Sequence, residues 1–351
     1  MFIKMINPLK ANRGFFNGSI VDLFMKKIIF ICSALLMVIF AKGASQDTIA
    51  FVHDPVMAYE NGTYYVYSTG ENITEMTSTD RCHWTIHRGG LLHTIPVWTH
   101  RIPDFKNHIW APDVIHWHGK WWMAYSCSSF GVNTSAIGLL QAKSLGQNVW
   151  KDKGMIIESK SSDHYNAIDP NFVIDDHDHP WLVFGSFWDG IQLVPLNGKM
   201  HVMKDAKLLT IARRYAHIPD SIVNPTSAHA GSNAIEAPFV FKHNGWYYLF
   251  VSWDYCCRGL KSNYRVVVGR SRQIYGPYLD KNGRKMSQGG GSLVIKGDKK
   301  EFEAVGHCAV YHLKNGDIFI CHGYSIPRGG ASILLQRHIK WDKGGWPILK
   351  L

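Results

Sequence analysis

EAPFVFKHNGWYYLFVS (residues 236–252) decides how this chain is read. A polar residue opens an apolar run, Asn244-Gly245 offers a tight turn because both residues tolerate positive φ, and an aromatic-rich strand follows. The same plan recurs in DPVMAYENGTYYVYS (54–68), DVIHWHGKWWMAYS (113–126), DPNFVIDDHDHPWLVFGS (169–186) and HCAVYHLKNGDIFICHG (307–323). The opening residues Asp54, Asp113, Asp169, Glu236 and His307 are spaced by 59, 56, 67 and 71 residues. Self-similarity at such a period, with Gly-containing turns, suits one four-stranded unit per repeat, and five copies predict an all-β, five-bladed β-propeller. If each opening residue starts the innermost strand of its blade, all five converge near the central axis. Four acids and a histidine would then share one pocket.

Further strand formers support this reading: PWLVFGSF (180–187), RVVVGRS (265–271) and DIFICHGY (317–324) are β-branched and aromatic between turn residues. Further tight turns are expected at Asn61-Gly62, His118-Gly119 and Asn315-Gly316. No long segment keeps a helical period. Residues 47–351 contain no linker or low-complexity stretch, so the 351-residue chain reads as one domain over 45–351 behind an N-terminal leader. Met25-Lys26-Lys27, the apolar run 28–40 and Ala41-Lys42-Gly43-Ala44 read as a secretory signal peptide, with Met25 as the true start and residues 1–44 removed. That run is too short to span a bilayer, which takes about 20 residues. An exported protein, periplasmic or secreted and with no stable membrane span, is expected.

Removing 1–44 takes away six basic residues and one acid, so the net charge falls from +11 to +6. The remaining basic residues are scattered, which argues against nucleic acid as a partner. A neutral or anionic polysaccharide is compatible, and a monomer is expected. Export permits disulfides among Cys82, Cys127, Cys256, Cys257, Cys308 and Cys321, but the spacing selects no pairing. Cys256-Cys257 reads either as a vicinal disulfide or as two small residues in a turn. No CxxC motif occurs, which disfavours a structural zinc.

Paired carboxylates near an axis suggest hydrolysis of a glycosidic bond, where one acid stays protonated for the leaving oxygen and another stays ionised to activate water. Asp54 opens an apolar strand and suits the general base. Glu236 has apolar neighbours on both sides, so desolvation and a nearby like charge would raise its pKa, as a general acid requires. Asp169 is the neighbouring charge that tunes and orients Glu236. An Asp before Pro is often only a turn cap, yet the recurrence at Asp54 and Asp169, with Glu-Ala-Pro in step at 236–238, favours a site. Asp113 reads equally as a structural or a substrate-positioning group.

The strings His-Asp-Pro (53–55), Trp-Ala-Pro-Asp (110–113), Asn-Ala-Ile-Asp-Pro (166–170), Gly-Ser-Phe-Trp (185–188) and Ile-Glu-Ala-Pro (235–238), in this order, resemble glycoside hydrolase family 43. YSCSSFGVNTSAIGLL (125–140), GSFWDGIQLVPL (185–196) and Cys-Cys-Arg-Gly (256–259) make the chain most similar to its endo-α-1,5-L-arabinanase branch. The resemblance covers nearly all of 50–350. It implies an inverting hydrolase of internal bonds in arabinan, with Asp54 as base, Asp169 as pKa modulator and Glu236 as acid. It also implies a calcium ion on the axis, held by His307 mostly through waters, although calcium by itself prefers oxygen ligands. Asn166, Ser186, Phe187 and Trp188 would line the sugar subsite at the scissile bond, and Trp110, Phe130 and Gly131 the cleft. The region Tyr255-Cys256-Cys257 and the stretch 213–233, rich in His and Arg, depart from the pattern where cleft length is set. The alternatives are an exo-acting arabinanase, an α-L-arabinofuranosidase or a β-xylosidase of the same family, and a non-catalytic carbohydrate-binding propeller.

Overall fold

Period-2 alternation and left-handed turn residues fold the repeats into antiparallel hairpins. The computed structural model describes residues 49–215 and 233–351. The signal-peptide reading of 1–44 and most of the stretch 213–233 lie outside them. The first blade runs Val56–Glu60, Thr63–Ser68, Thr74–Ser78, Thr85–His87, and the second His108–Trp117, Lys120–Cys127, Ser135–Ala142, Lys151–Ser159. The third runs Asn171–Ile174, Pro180–Phe184, Ile191–Pro195, Leu209–Ala212, and the fourth Ile235–His243, Trp246–Trp253, Arg265–Ser271, Ser292–Lys296. The fifth has three full strands, Phe302–Leu313, Gly316–Ser325 and Ala331–His338. Apart from a short strand Gly70–Glu71 that pairs with His108–Ile109 at the edge of the second blade, neighbours follow one another along the chain, so each blade is a meander and the molecule is a five-bladed β-propeller.

The start of the chain completes the fifth blade. Phe51 bridges Ile333 antiparallel, Val52 N–H donates to Ser332 O at 3.2 Å, and Leu334 N–H donates to Ala50 O at 2.9 Å. Residues 50–52 thus supply the outer strand that the last repeat lacks, and the ring is closed by both ends of the domain.

Three of the four expected tight turns form with both central residues left-handed, at Asn61-Gly62, His118-Gly119 and Asn244-Gly245. The fourth differs. Leu313 pairs with Gly316, so Lys314-Asn315 occupy the turn and only Gly316 has positive φ. The core lies between blades rather than at one centre. Val183, Ile191 and Leu193 of the third blade pack with Leu249, Val251 and Val267 of the fourth, and Trp122, Ile137 and Leu139 of the second pack with Phe172, Leu182 and Phe184 of the third. Only short 3₁₀ turns interrupt the strands among the described residues.

Candidate active site

Each inner strand carries a residue in the left-handed region at or near its axial end. They are Asp54 (φ 55°), Ala111 (38°), Asp169 (57°), Ala237 (54°) and His307 (50°). A bulge follows at this point in the second, fourth and fifth blades. The register therefore differs from the expected one. Asp54, Asp169 and His307 are equivalent, but Ala111 and Ala237 occupy that place in the other two blades. Glu236 lies one residue before it and Asp113 two residues after it.

The shift removes Asp113 from the pocket. Its buried carboxylate accepts the Phe172 N–H at 2.7 Å and the Asn171 side-chain amide at 3.2 Å. Asn171 repeats the stitch one blade on, accepting the Val240 N–H at 2.8 Å. Burial lifts the Asp113 pKa to about 7 against these bonds. Asp113 is a brace between blades, which resolves its two readings in favour of the structural one.

The other four groups come together. Asp54 Oδ1 meets His307 Nδ1 at 2.9 Å, and Oδ2 meets His53 Nδ1 at 2.9 Å and the Thr69 hydroxyl at 2.5 Å. Burial works to raise the Asp54 pKa, but the charges of His53 and His307 and their hydrogen bonds hold it well below the usual range. Glu236 is the opposite case. Burial and the charge of Asp54 raise it, against hydrogen bonds from Ser186 and Tyr264 and the charge of His307. The Ser186 hydroxyl donates to Glu236 Oε2 at 2.7 Å. Asp169 is pushed up to about 8 by burial, then by Glu236 and Asp54, with His307 opposing. Its Oδ2 accepts the Ala237 N–H at 3.1 Å, which ties it to the residue beside Glu236. Two buried carboxylates that repel one another retain a proton between them near neutrality, while Asp54 stays ionised.

His307 lies within this field. Burial lowers its pKa, but Asp54, Asp169 and Glu236 together raise it to about 9. Three carboxylates and one imidazole give the pocket its charge. Calcium takes six to eight oxygens, and the chain offers one free ring nitrogen and carboxylates already engaged. With Nδ1 on Asp54, only the Nε2 of a neutral His307 ring would contact calcium, and the ion would keep most of its water shell.

The second strand of each blade closes on a residue that braces the centre, a feature that reading the opening residues alone missed. Ser126 accepts the Asp169 N–H at 3.0 Å, Ser252 the His307 N–H at 2.9 Å, Thr69 the Ala111 N–H at 2.8 Å and His322 Nδ1 the Asp54 N–H at 3.1 Å. Ser186, at the same place, bonds Glu236 instead. The signal was present in part: the segments ending at Ser126, Ser186 and Ser252 close on the bracing serine itself, while Thr69 lies one residue past Ser68 and His322 one before Gly323.

The expected substrate residues separate into two groups. Phe130 is 80% exposed beside the left-handed Gly131, and Phe187 is half-buried with its ring 5.9 Å from Tyr255. Trp110 is half-buried one residue before Ala111, where Glu236 sits in its own blade. Asn166 is buried, its carbonyl accepting the Ser135 hydroxyl at 2.7 Å. Trp188 is buried and packed rather than displayed, and its carbonyl accepts the Asn233 amide at 2.6 Å. Cys256 and Cys257 form a vicinal disulfide, and the other described cysteines are free.

The profile of Glycosyl hydrolases family 43 matches residues 48–347. The chain belongs to this family. The enzyme is 42% identical over 321 residues to the extracellular exo-α-(1→5)-L-arabinofuranosidase ArbA of Cellvibrio japonicus, covering 90% of each chain. It is 38% identical to the extracellular endo-α-(1→5)-L-arabinanase 1 of Bacillus subtilis, over 87% of this chain and 88% of that one. Among solved structures, an exo-1,5-α-L-arabinanase from a bovine ruminal metagenomic library superposes with a TM-score of 0.80 at 45% identity, covering 87% of this chain and 99% of that one. The enzyme is thus a glycoside hydrolase whose relatives include both chain-end and internal cutters.

Proposed function

We propose that the enzyme hydrolyses α-1,5-L-arabinofuranosidic bonds of arabinan with inversion of configuration. The observation that carries this is the opposed electrostatics of Asp54, whose pKa is held well down, and Glu236, whose pKa is pushed up, in one buried pocket. Glu236 gives its proton to the leaving oxygen while Asp54 takes one from the water that attacks the anomeric carbon from the other side. Asp169 and Glu236 repel one another as carboxylates, which favours one proton shared between them, and Asp169 stays fixed by the Ala237 N–H. Two donors fill Asp54 Oδ2 and one engages Oδ1, so the lone pair left for the water lies on Oδ1. His307 would hold a hydrated calcium, whose charge offsets the carboxylates and orders the pocket's water.

Arabinan is supported as substrate by relatives at 38–45% identity that are named for it. On the mode of attack, the relatives named here lean toward chain-end action rather than internal cleavage. The exo-acting relatives, at 42 and 45%, are nearer than the endo-acting one at 38%, which favours release from a chain end over internal cleavage. Export is favoured by the signal-like segment 25–44 and by two relatives named extracellular. No helix among the described residues is long and apolar enough to cross a membrane. The test is digestion of linear arabinan followed by NMR of the first product and by viscosity. An inverted anomer and one short product, with slowly falling viscosity, are expected. A retained anomer would remove the mechanism, and an early viscosity drop with a ladder of oligosaccharides would restore internal cleavage.

A further inference from the structure

His53 touches the general base but is not one of the reacting groups, and the side of its ring away from Asp54 is built with care. The hydroxyl of Tyr324 lies 3.0 Å from His53 Nε2, while Nδ1 lies 2.9 Å from Asp54 Oδ2. Tyr324 is 3% exposed, so it is out of reach of substrate. Its oxygen accepts the Cys257 N–H at 2.7 Å and a hydrogen bond from Ser262, whose own oxygen accepts the Arg258 N–H at 3.1 Å. With its oxygen so occupied, the Tyr324 hydrogen is directed to Nε2. That fixes the His53 hydrogen on Nδ1, facing Asp54. His322, 0% exposed, stacks under the ring at 4.1 Å and prevents it from tilting. Cys257, at φ 63°, belongs to the vicinal disulfide, and its sulfur lies 3.7 Å from the same Nε2.

We propose that the Cys256–Cys257 turn and Tyr324 are positioning groups for catalysis, holding His53 so that it saturates Asp54 Oδ2 and leaves Oδ1 to the attacking water. The inference rests on Asp54 being the general base. A disulfide between adjacent residues closes a small ring and locks the turn that presents the Cys257 N–H. Without that lock Tyr324 loses a donor, the His53 ring is free to rotate, and Oδ2 becomes open to a water in the wrong place.

The test is a cycle on the full enzyme with linear arabinan. His53→Asn keeps a donor where Nδ1 stood, yet its side chain is too short to reach Tyr324. It is expected to retain far more turnover than His53→Ala. Tyr324→Phe is expected to lower kcat about 10-fold with KM within about twofold, the pattern of an interaction that matters only in the transition state. In the His53→Asn background Tyr324→Phe is expected to add nothing further, whereas a merely structural tyrosine would cost the same in both. Wild-type enzyme treated with a phosphine reductant has one target among the described cysteines, and its kcat is expected to fall in the same way. Tyr324→Phe should be insensitive to that treatment. Additive losses in the cycle, or full turnover after reduction verified by thiol titration, would overturn the proposal. Wild-type enzyme that does not cleave arabinan would instead remove the function on which it rests.

Discussion

Ser186→Ala isolates the bond that pulls against the general acid. The hydroxyl donates to Glu236 Oε2 at 2.7 Å, and both residues are buried. It stabilises the carboxylate, so its removal raises the Glu236 pKa. Hydrogen bonds to charged groups are worth about 1.5–3 kcal/mol, and 1.36 kcal/mol is one pKa unit, which places the shift at about one to two units. A water entering the vacated space would return part of this, so about one unit is expected. The donor must be protonated to work, and the basic limb of kcat/KM against pH reports its ionisation in the free enzyme. That limb should move to higher pH by about one unit even as maximal activity falls. The assay is initial rates on a linear arabino-oligosaccharide at limiting concentration across the alkaline range. A limb that stays in place, or moves to lower pH, would refute the assignment of Glu236 as proton donor.

Asp169→Asn should move the same limb to lower pH, since it removes a like charge from beside Glu236; a pH–activity profile identical to wild type would make Asp169 a strand cap. Asp54→Asn should lower kcat by about 10²–10⁴ with binding kept, checked by rates alongside calorimetry with an oligosaccharide. Asp113→Ala should leave kcat near wild type yet cost about 1–3 kcal/mol of stability, because the buried Phe172 N–H loses its acceptor, as denaturant melts would show. His307→Ala should lose bound calcium, melting temperature and activity together; full activity after exhaustive chelation, with no metal by elemental analysis, would exclude the ion.

The blades were legible because their signals are local. Alternation, aromatic strands and Asn-Gly turns place the hairpins at 56–68, 108–127 and 235–253 within a residue or a few of where they lie. Centring was harder, because the repeats were aligned on their acids. Four of the five left-handed residues precede proline, in Asp54-Pro55, Ala111-Pro112, Asp169-Pro170 and Ala237-Pro238. Aligning on proline would have placed Ala111 at the centre and Asp113 outside it. What the sequence could not reveal was long-range. His53 is 271 residues from Tyr324 and 269 from His322, and touches both only because the ring closes.

The strand formed by residues 50–52 sets the order of assembly. These residues are synthesised before any blade exists, yet their partners Ser332, Ile333 and Leu334 come almost at the end of the chain. Pairing across such a separation has a high contact order and a large loop-closure cost, so it comes late in folding. Asp54 follows two residues after the strand, and its backbone N–H is anchored on His322 of the final blade. A chain in which residues 50–52 have not paired has nearly all of its sheet but no placed base. Hydrolytic competence arrives only with the last step of folding. A protease clipping the chain between residues 52 and 54 would silence the enzyme while leaving nearly all of its sheets intact.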